Sequence, residues 1–172
     1  MMMISTTTIL PNVKGLNIHE SALEYRRYGL CVIPIKDYSK LPAVSWKKYQ
    51  TESPSVEELD KWFKPEQSYS YLRLAIVTGE ISGVTVIDFD SEDAWNKCSE
   101  LLGDESPTRD KNLPVIQTPR GRHIYLPYKK ELRQTTGFLN IEKLDLRNDG
   151  GYVIAPPSIN VENGLLTYRR IR

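Results

Sequence analysis

The chain has 172 residues, a formal net charge of +1, 40% hydrophobic residues and 26% charged residues. This length suits one domain, and the composition is that of a globular protein and not of a disordered chain. The near-neutral charge argues against a general nucleic-acid coat protein, although the basic residues cluster and could form a local phosphate-binding surface. No apolar run approaches the roughly eighteen residues of a membrane span, and the start lacks a signal-peptide pattern. We therefore expect a cytoplasmic protein that does not contact membranes.

The two cysteines, Cys31 and Cys98, are far apart in the chain and do not form a C-x-x-C motif. Each lies in an apolar or helical context, which favours two buried free thiols over a disulfide. The chain has too few further ligands for a structural zinc site.

The first half of the chain predicts two helices and a strand after a polar lead. Residues 1–15 show no periodicity and are expected to be a flexible N-terminal lead, with one domain over 16–172. A helix is predicted over 18–28, ending at Gly29, and a buried strand over 30–35. Ser55 and Glu58 form a capping box for a second helix that ends near residue 63.

The second half predicts a helix among several short strands. Strands are expected over 72–77, 84–89, 115–118, 123–128, 141–147, 152–155 and 165–169, with a helix from Ser91 to about residue 102. The turn at 148–151, Asn-Asp-Gly-Gly, predicts that the strands on either side of it pair as a hairpin. Helices early, hairpins late and no regular β-α-β alternation together predict an α+β fold.

Two acidic residues lie in and directly after the apolar strand predicted over 84–89. Asp88 and Asp90 are two apart, so in a strand they face the same side, while Ile87 and Phe89 face the core. Two adjacent carboxylates repel unless a cation compensates, which indicates a divalent metal with Asp145 as the natural third ligand. The alternative is structural: acids at the end of a strand often cap the next helix, and Asp90 could do so here.

A basic turn and a second acidic strand add to this pattern. His123 follows Arg120 and Arg122 at a glycine turn, so a neutral histidine could hydrogen-bond a phosphate while the arginines supply charge. Alternatively, His123 is an ordinary histidine at a strand end. Asp145 and Arg147 share one face of their strand, either as a metal ligand with a phosphate-binding arginine or as a plain ion pair.

Several strings in this chain occur in the order of a known family. They are Ala22 to Tyr25 with Tyr28-Gly29, Val32-Ile33-Pro34-Ile35, Lys40-Leu41-Pro42 with Trp46, Thr78-Gly79, Ser82-Gly83, Val86 to Asp90, Thr118 to Tyr125 and Leu144 to Ser158. Over about residues 20–160 the chain resembles the bifunctional DNA primase/polymerase (prim-pol) family of the archaeo-eukaryotic primase superfamily. That family occurs on plasmids, phages and other mobile elements, often fused to a helicase.

The resemblance implies a two-lobed catalytic domain, with an α/β lobe packed on a module that resembles an RNA-recognition motif. Asp88, Asp90 and Asp145 match the family's catalytic, metal-binding acids. His123 matches the histidine that contacts the triphosphate of the incoming nucleotide, with Gly121 as the small residue of that motif. The expected nucleotide-binding residues are Arg120, Arg122, His123 and Arg147.

These matches imply a template-dependent DNA primase/polymerase, a nucleotidyltransferase that adds nucleotides to a primer 3′-hydroxyl and could also initiate primers. It would use two Mg²⁺ or Mn²⁺ ions, which suit oxygen ligands. Its expected substrates are single-stranded or primed DNA and dNTP or NTP, with a helicase or a C-terminal helical domain as a partner in cis or in trans. Lys40, Lys47 and Lys48 are predicted to hold the template backbone, and Trp46 either stacks on a base or belongs to the core.

Two other functions fit some of these residues. A catalytically idle nucleotide- or nucleic-acid-binding module of the same fold would explain the basic clusters, but it has no need of three convergent carboxylates. A metal-dependent nuclease would explain the acids but not the arginines and the histidine beside them.

Overall fold

The computed structural model describes residues 9–66, 70–160, 165–166 and 168–172. Its helices are α1 (Ile18–Arg27), α2 (Val56–Phe63) and α3 (Glu92–Leu102). Its strands are β1 (Val32–Pro34), β2 (Leu74–Val77), β3 (Val84–Phe89), β4 (Val115–Gln117), β5 (Arg122–Pro127), β6 (Leu144–Arg147), β7 (Tyr152–Ile154), β8 (Ile159–Asn160), β9 (Leu165–Leu166) and β10 (Arg169–Arg170). Single 3₁₀ turns lie at Lys47–Gln50, Gly103–Glu105 and Phe138–Asn140. The predicted α+β class is confirmed.

The helices begin where their capping residues predict. Ser55 caps α2, and the Glu58 carboxylate accepts a hydrogen bond from the backbone N–H of Ser55, which completes the predicted capping box. The Ser91 hydroxyl accepts a hydrogen bond from the backbone N–H of Ala94 at 3.1 Å and so begins α3. Gly29 has φ +82°, the left-handed conformation expected at the end of α1.

Every strand pair in the described residues is antiparallel. One sheet has the order β1-β2-β7, a second has the order β10-β4-β5-β3-β6, and β8 pairs with β9. Strand β3 lies inside the five-stranded sheet, between β5 and β6. This position explains why Val84–Phe89 is almost wholly apolar, since both of its faces are covered.

The five-stranded sheet separates two hydrophobic clusters. The larger cluster contains residues of α1, α2 and the three-stranded sheet, and the five-stranded sheet adds Val86 and Tyr125 to it. The smaller cluster lies on the other face, where Ile87 and Phe89 pack with Ala94 of α3. Asp88 therefore lies on the face that carries the larger cluster, between Val86 and the end of the strand.

The predicted hairpin at 141–155 is wrong. Strand β6 pairs with β3 and strand β7 pairs with β2, so the turn carries the chain from one sheet to the other. The reason is Asn148, whose buried amide donates to the carbonyls of Lys129 and Leu132 at 2.9 and 2.6 Å. These contacts hold the chain at the end of β6 against the five-stranded sheet and direct the next residues away from it.

Most of the other predicted helices and strands are present, several of them with shorter bounds. Both cysteines are buried and free, as predicted. Within the N-terminal lead, Leu10 and Val13 are buried in the core, whereas residues 1–8 lie outside the described part. The last predicted strand, 165–169, corresponds to two short strands, β9 and β10, and the Asn163-Gly164 turn before it lies outside the described residues. No helix in the described part is long and apolar enough to cross a membrane.

Candidate active site

Three polar side chains form a row across the five-stranded sheet. Asp88 at the end of β3 pairs in register with His123 of β5 on one side and with Asp145 of β6 on the other. Residues directly opposite in an antiparallel pair have Cβ atoms about 4.5–5.5 Å apart and project from the same face. The fold therefore brings together three residues that are up to 57 positions apart in the sequence.

Arg147 is a shared cation for the two carboxylates of this row. Its Nη2 lies 2.8 Å from Asp145 Oδ2 and 3.7 Å from Asp88 Oδ2. The second oxygen of Asp145 accepts a hydrogen bond from the backbone N–H of Gly137 at 3.1 Å. The ion pair that the sequence allowed for Asp145 and Arg147 is therefore present, and it extends to Asp88.

The ionisation of Asp88 reflects two opposing effects. Burial acts to raise the pKa of this carboxyl, but the hydrogen bond and charge of His123, with the charges of Arg147 and Lys40, outweigh it and lower the pKa below its usual value. The cations thus compensate for the repulsion that two neighbouring acids would otherwise suffer. Asp88 is a carboxylate at neutral pH.

His123 is almost fully buried beside this carboxylate. Its Nε2 lies 3.3 Å from Asp88 Oδ1. An ionised carboxylate only accepts hydrogen bonds, so Nε2 carries the proton. Its Nδ1 has no hydrogen-bond partner in the described part of the chain. The centroids of the Tyr125 and Tyr168 rings lie 6.4 and 6.3 Å from the centroid of the imidazole ring.

Asp90 is turned away from the row toward a more exposed partner. Arg120 Nη2 donates to Asp90 Oδ2 at 2.9 Å, and the Arg120 side chain is 61% exposed. Asp90 is not the cap of α3, because Ser91 has that role. Asp90 and Arg120 therefore form an ion pair at the rim of the cleft.

Arg122 lies on the opposite face of the sheet from His123. Its guanidinium stacks over the ring of Trp95 at 4.4 Å and bonds Glu92 at 2.8 Å, both on α3. Side chains alternate along a strand, so neighbours at 122 and 123 cannot share a face. The structure does not bring Arg122 together with the other residues predicted to bind the nucleotide.

The turn before β5 depends on a glycine. A Cβ on Gly121 would overlap the carbonyl oxygen of Phe89 at the end of β3. The close approach lets the turn lie against the end of β3, where Arg120 reaches Asp90.

A cleft of about 220 Å³ opens beside the row. Its lining comes from β3, β5, β6 and β7, from the Gly-Gly pair before β7 and from three loop positions: Lys40, Asp88, His123, Gln134, Arg147, Gly150, Gly151, Tyr152, Val153, Ile154 and Tyr168. Sequence reasoning missed Gln134, Tyr152 and Tyr168. Tyr152 follows directly after the Gly-Gly pair and could have been noticed, whereas no local signal marks Gln134 or Tyr168.

The three lysines predicted to bind DNA separate in the structure. Lys40 lines the cleft, Lys48 is paired with Glu58 at 2.9 Å, and Lys47 is exposed and does not line the cleft. Trp46 is half-buried and packs edge-on against Tyr152, with 5.0 Å between ring centroids. Of the two alternatives for this tryptophan, packing is the one that the structure shows.

The acids fit a small oxygen-ligand metal site only in part. In the described residues, no group of three His, Cys, Asp or Glu side chains is placed to hold a metal ion. Asp88 and Asp145 nevertheless already share one cation, the guanidinium of Arg147. Mg²⁺ commonly takes one or two protein carboxylates and completes its shell with water and substrate phosphates, so this pair fits it. Participation of Asp90 stays a prediction, since it requires Asp90 to leave Arg120.

Comparison with known proteins gives a family match and no curated relative. No curated protein has a sequence similar enough to match this chain. The model of the family described as bifunctional DNA primase/polymerase, N-terminal, matches residues 22–171, nearly the whole chain and all the residues of the row. The chain therefore belongs to the bifunctional DNA primase/polymerase N-terminal domain family, an enzyme family whose substrates are DNA and nucleotides.

Proposed function

We propose that this chain is a template-dependent DNA primase/polymerase that adds a nucleotide to the 3′-hydroxyl of a primer. The observation that carries the proposal is the row Asp145, Asp88 and His123 on three adjacent strands, within a chain of this family. Two carboxylates that could hold divalent cations, with an imidazole N–H beside them at the edge of a cleft, suit phosphoryl transfer, in which cations and hydrogen-bond donors stabilise the charge on the phosphates.

Each residue of the row has a distinct role in this proposal. Asp88 and Asp145 would hold Mg²⁺ or Mn²⁺, which supplies charge stabilisation to the reacting phosphates when bound. The Nε2–H of His123 is placed to donate to a phosphate oxygen that enters the cleft in place of the Asp88 contact. Arg147, with a fixed charge between the acids, neutralises part of the triphosphate.

The roles of the rim residues are less central. Asp90 would join the metal site once Arg120 turns to a substrate phosphate, because both belong to one exposed ion pair. Arg122 has no role in nucleotide binding in this proposal, since it faces α3.

The architecture supports a two-lobed arrangement with the cleft between the lobes. The chain order in this part is β3, α3, β4, β5 and β6, and its four strands lie in the order β4-β5-β3-β6 within the sheet. This is the order of a split β-α-β module that resembles an RNA-recognition motif. Between β5 and β6 this module has only the 3₁₀ turn at Phe138–Asn140 in place of a second helix. The other lobe would contain α1, α2 and the sheet β1-β2-β7.

The test is extension of a labelled primer on a single-stranded template, with dNTPs or NTPs and with Mg²⁺ or Mn²⁺. The Asp88→Asn variant should lose extension by about 10²–10³-fold, the usual cost of removing one electrostatic group at such a site. The matched control is Asp104→Asn, which makes the same change at a fully exposed carboxylate (102% exposed) that lies 3.5 Å from Arg109. It should extend primers like the unaltered protein.

Other outcomes identify the rival functions. Nucleotide binding without any extension by the unaltered protein would indicate a binding module. Degradation of the labelled strand without added nucleotide would indicate a nuclease. Equal extension by Asp88→Asn and Asp104→Asn would exclude the row as the active site.

A further inference from the structure

The loop 36–42, which we call the Lys40 loop, has a backbone that is anchored to the strand beside it. Arg73 Nη1, at the start of β2, donates to the carbonyl of Ser39 at 2.7 Å and to that of Asp37 at 3.3 Å. The Asp37 carboxylate in turn accepts from the backbone N–H of Leu72 at 3.1 Å. These contacts hold the backbone of this surface loop against the residues before β2.

A second anchor ties this loop to the cleft wall. The Tyr152 hydroxyl donates to the carbonyl of Lys40 at 3.0 Å. The Tyr152 ring is itself held edge-on by Trp46. Since Tyr152 lines the cleft, the backbone of Lys40 is fixed directly at the cleft edge.

The side chain of Lys40 differs from the other cations of the cleft in its partners. Arg147 is paired with Asp145 at 2.8 Å, and His123 lies against Asp88. In the part of the chain that the structure describes, Lys40 has no carboxylate within ion-pair distance, although it lines the same cleft. Its ammonium group is therefore a cation at the edge of the cleft whose charge is available to an incoming anion.

We propose that Lys40 binds the polyphosphate of the incoming nucleotide and not the template backbone, an inference that rests on the proposed function. The cleft that Lys40 shares with His123 has a volume of about 220 Å³, which suits a small polyanion far better than a DNA strand. Lys47 and Lys48, which the sequence predicts to hold the template together with Lys40, lie outside this cleft. An ammonium group is a point charge that binds phosphate without the planar geometry of an arginine.

The test is calorimetric titration of the whole chain with dATP and with dAMP, in Mg²⁺ and without DNA. Lys40→Ala should weaken dATP binding at least tenfold and dAMP binding less than threefold, because the lost contact is to the outer phosphates. Lys40→Met, which keeps the aliphatic stem but not the charge, should weaken dATP and dAMP binding to the same extent as Lys40→Ala. Lys36→Ala is the matched control, an exposed lysine of the same loop that does not line the cleft, and should bind dATP within twofold of the unaltered protein.

Binding to primed DNA distinguishes a lysine that contacts the nucleotide from one that contacts the template backbone. Lys40→Ala should bind a primed template within twofold and with an unchanged salt dependence, since the slope reports phosphate contacts to DNA. A loss of DNA affinity with unchanged dATP affinity would overturn the inference and assign Lys40 to the template. If the unaltered protein binds dATP and extends primers while Lys40→Ala does both equally well, the inference alone fails. If the unaltered protein binds no dATP, the proposed function fails with it.

Discussion

Replacing Arg147 by methionine tests whether its charge balances the two carboxylates of the row. The side chains of Arg147, Asp88 and Asp145 are 30%, 15% and 18% exposed. Removing one partner of a buried ion pair costs about 3–5 kcal/mol, and an exposed pair contributes about 0.2–1 kcal/mol. For this partly buried group we expect a loss of about 2 kcal/mol in the free energy of unfolding at pH 7, which corresponds to a melting temperature lower by roughly 4–8 °C.

The pH dependence of that loss follows from the lowered pKa of Asp88. A carboxyl whose pKa is lower in the folded than in the unfolded protein stabilises the fold above its unfolded pKa of about 3.9, and this contribution disappears as the pH falls through the folded pKa. His123 is the larger cause of the lowered pKa and Arg147 a smaller one, so part of this contribution is absent without Arg147. The stability difference between Arg147→Met and the unaltered protein should therefore be largest at pH 7 and should shrink below about pH 4.

Urea unfolding at pH 7 and at pH 3.5 measures both effects, and added Mn²⁺ gives an independent readout of the metal site. A metal between Asp88 and Asp145 would replace the missing charge, so Mn²⁺ at 100 times its dissociation constant should stabilise Arg147→Met by about 2.7 kcal/mol. The control is Arg133→Met, an exposed arginine outside the row, which should change stability by less than about 0.5 kcal/mol. An unfolding free energy for Arg147→Met within that limit, or a deficit equal at both pH values, would refute the reasoning.

Three further predictions concern groups outside the row. Tyr25→Phe removes a buried hydroxyl that donates to the carbonyl of Pro156 at 2.8 Å and should cost about 1–2 kcal/mol, whereas Tyr125→Phe removes a buried hydroxyl that has no partner in the described residues. Tyr125→Phe should be neutral or stabilising in the same urea titration, and equal losses would contradict the assignment. Asn148→Ala removes two part-buried hydrogen bonds to backbone carbonyls and the acceptor of the buried Thr85 hydroxyl and should cost about 2 kcal/mol, while an unchanged urea midpoint would show that the turn does not need this side chain. Burial raises the pKa of the Cys31 thiol to about 12, so a thiol reagent at pH 8 should label it only after unfolding, and labelling at the rate of a free thiol would show that the site opens.

Local signals predicted the helices because the interactions that start them join residues three positions apart. The hydroxyl of Ser55 accepts from the backbone N–H of Glu58, and the carboxylate of Glu58 accepts from the backbone N–H of Ser55, so the pattern is visible in the sequence. The two-residue spacing of Asp88 and Asp90 predicts that they share a face, but Asp90 follows the last residue of β3 and pairs with Arg120 at the rim. The sequence also indicates Asp145 as their partner, and the register of β3 with β6 places it directly opposite Asp88.

The parts that could not be predicted depend on contacts between distant segments. The turn 148–151 has the residues of a hairpin, but the carbonyls that bind Asn148 come from a loop 16 and 19 residues earlier. Tyr168 reaches the cleft from the end of the chain, with no motif around it. These placements follow from the packing of whole segments, which a turn propensity does not encode.

The division of the arginines shows how the two-residue period of a strand determines which charges reach the cleft. Arg122 and His123 are neighbours in sequence, yet one contacts α3 and the other contacts Asp88. The position of Arg122 next to His123 in the sequence predicts that Arg122 brings positive charge to the cleft. In the structure this charge comes from Arg147 on β6 and from Lys40 on the Lys40 loop. Both come from segments that meet His123 only through the fold. The cleft thus receives its positive charge from two sides, and a polyphosphate that entered it would lie between Lys40 and the row.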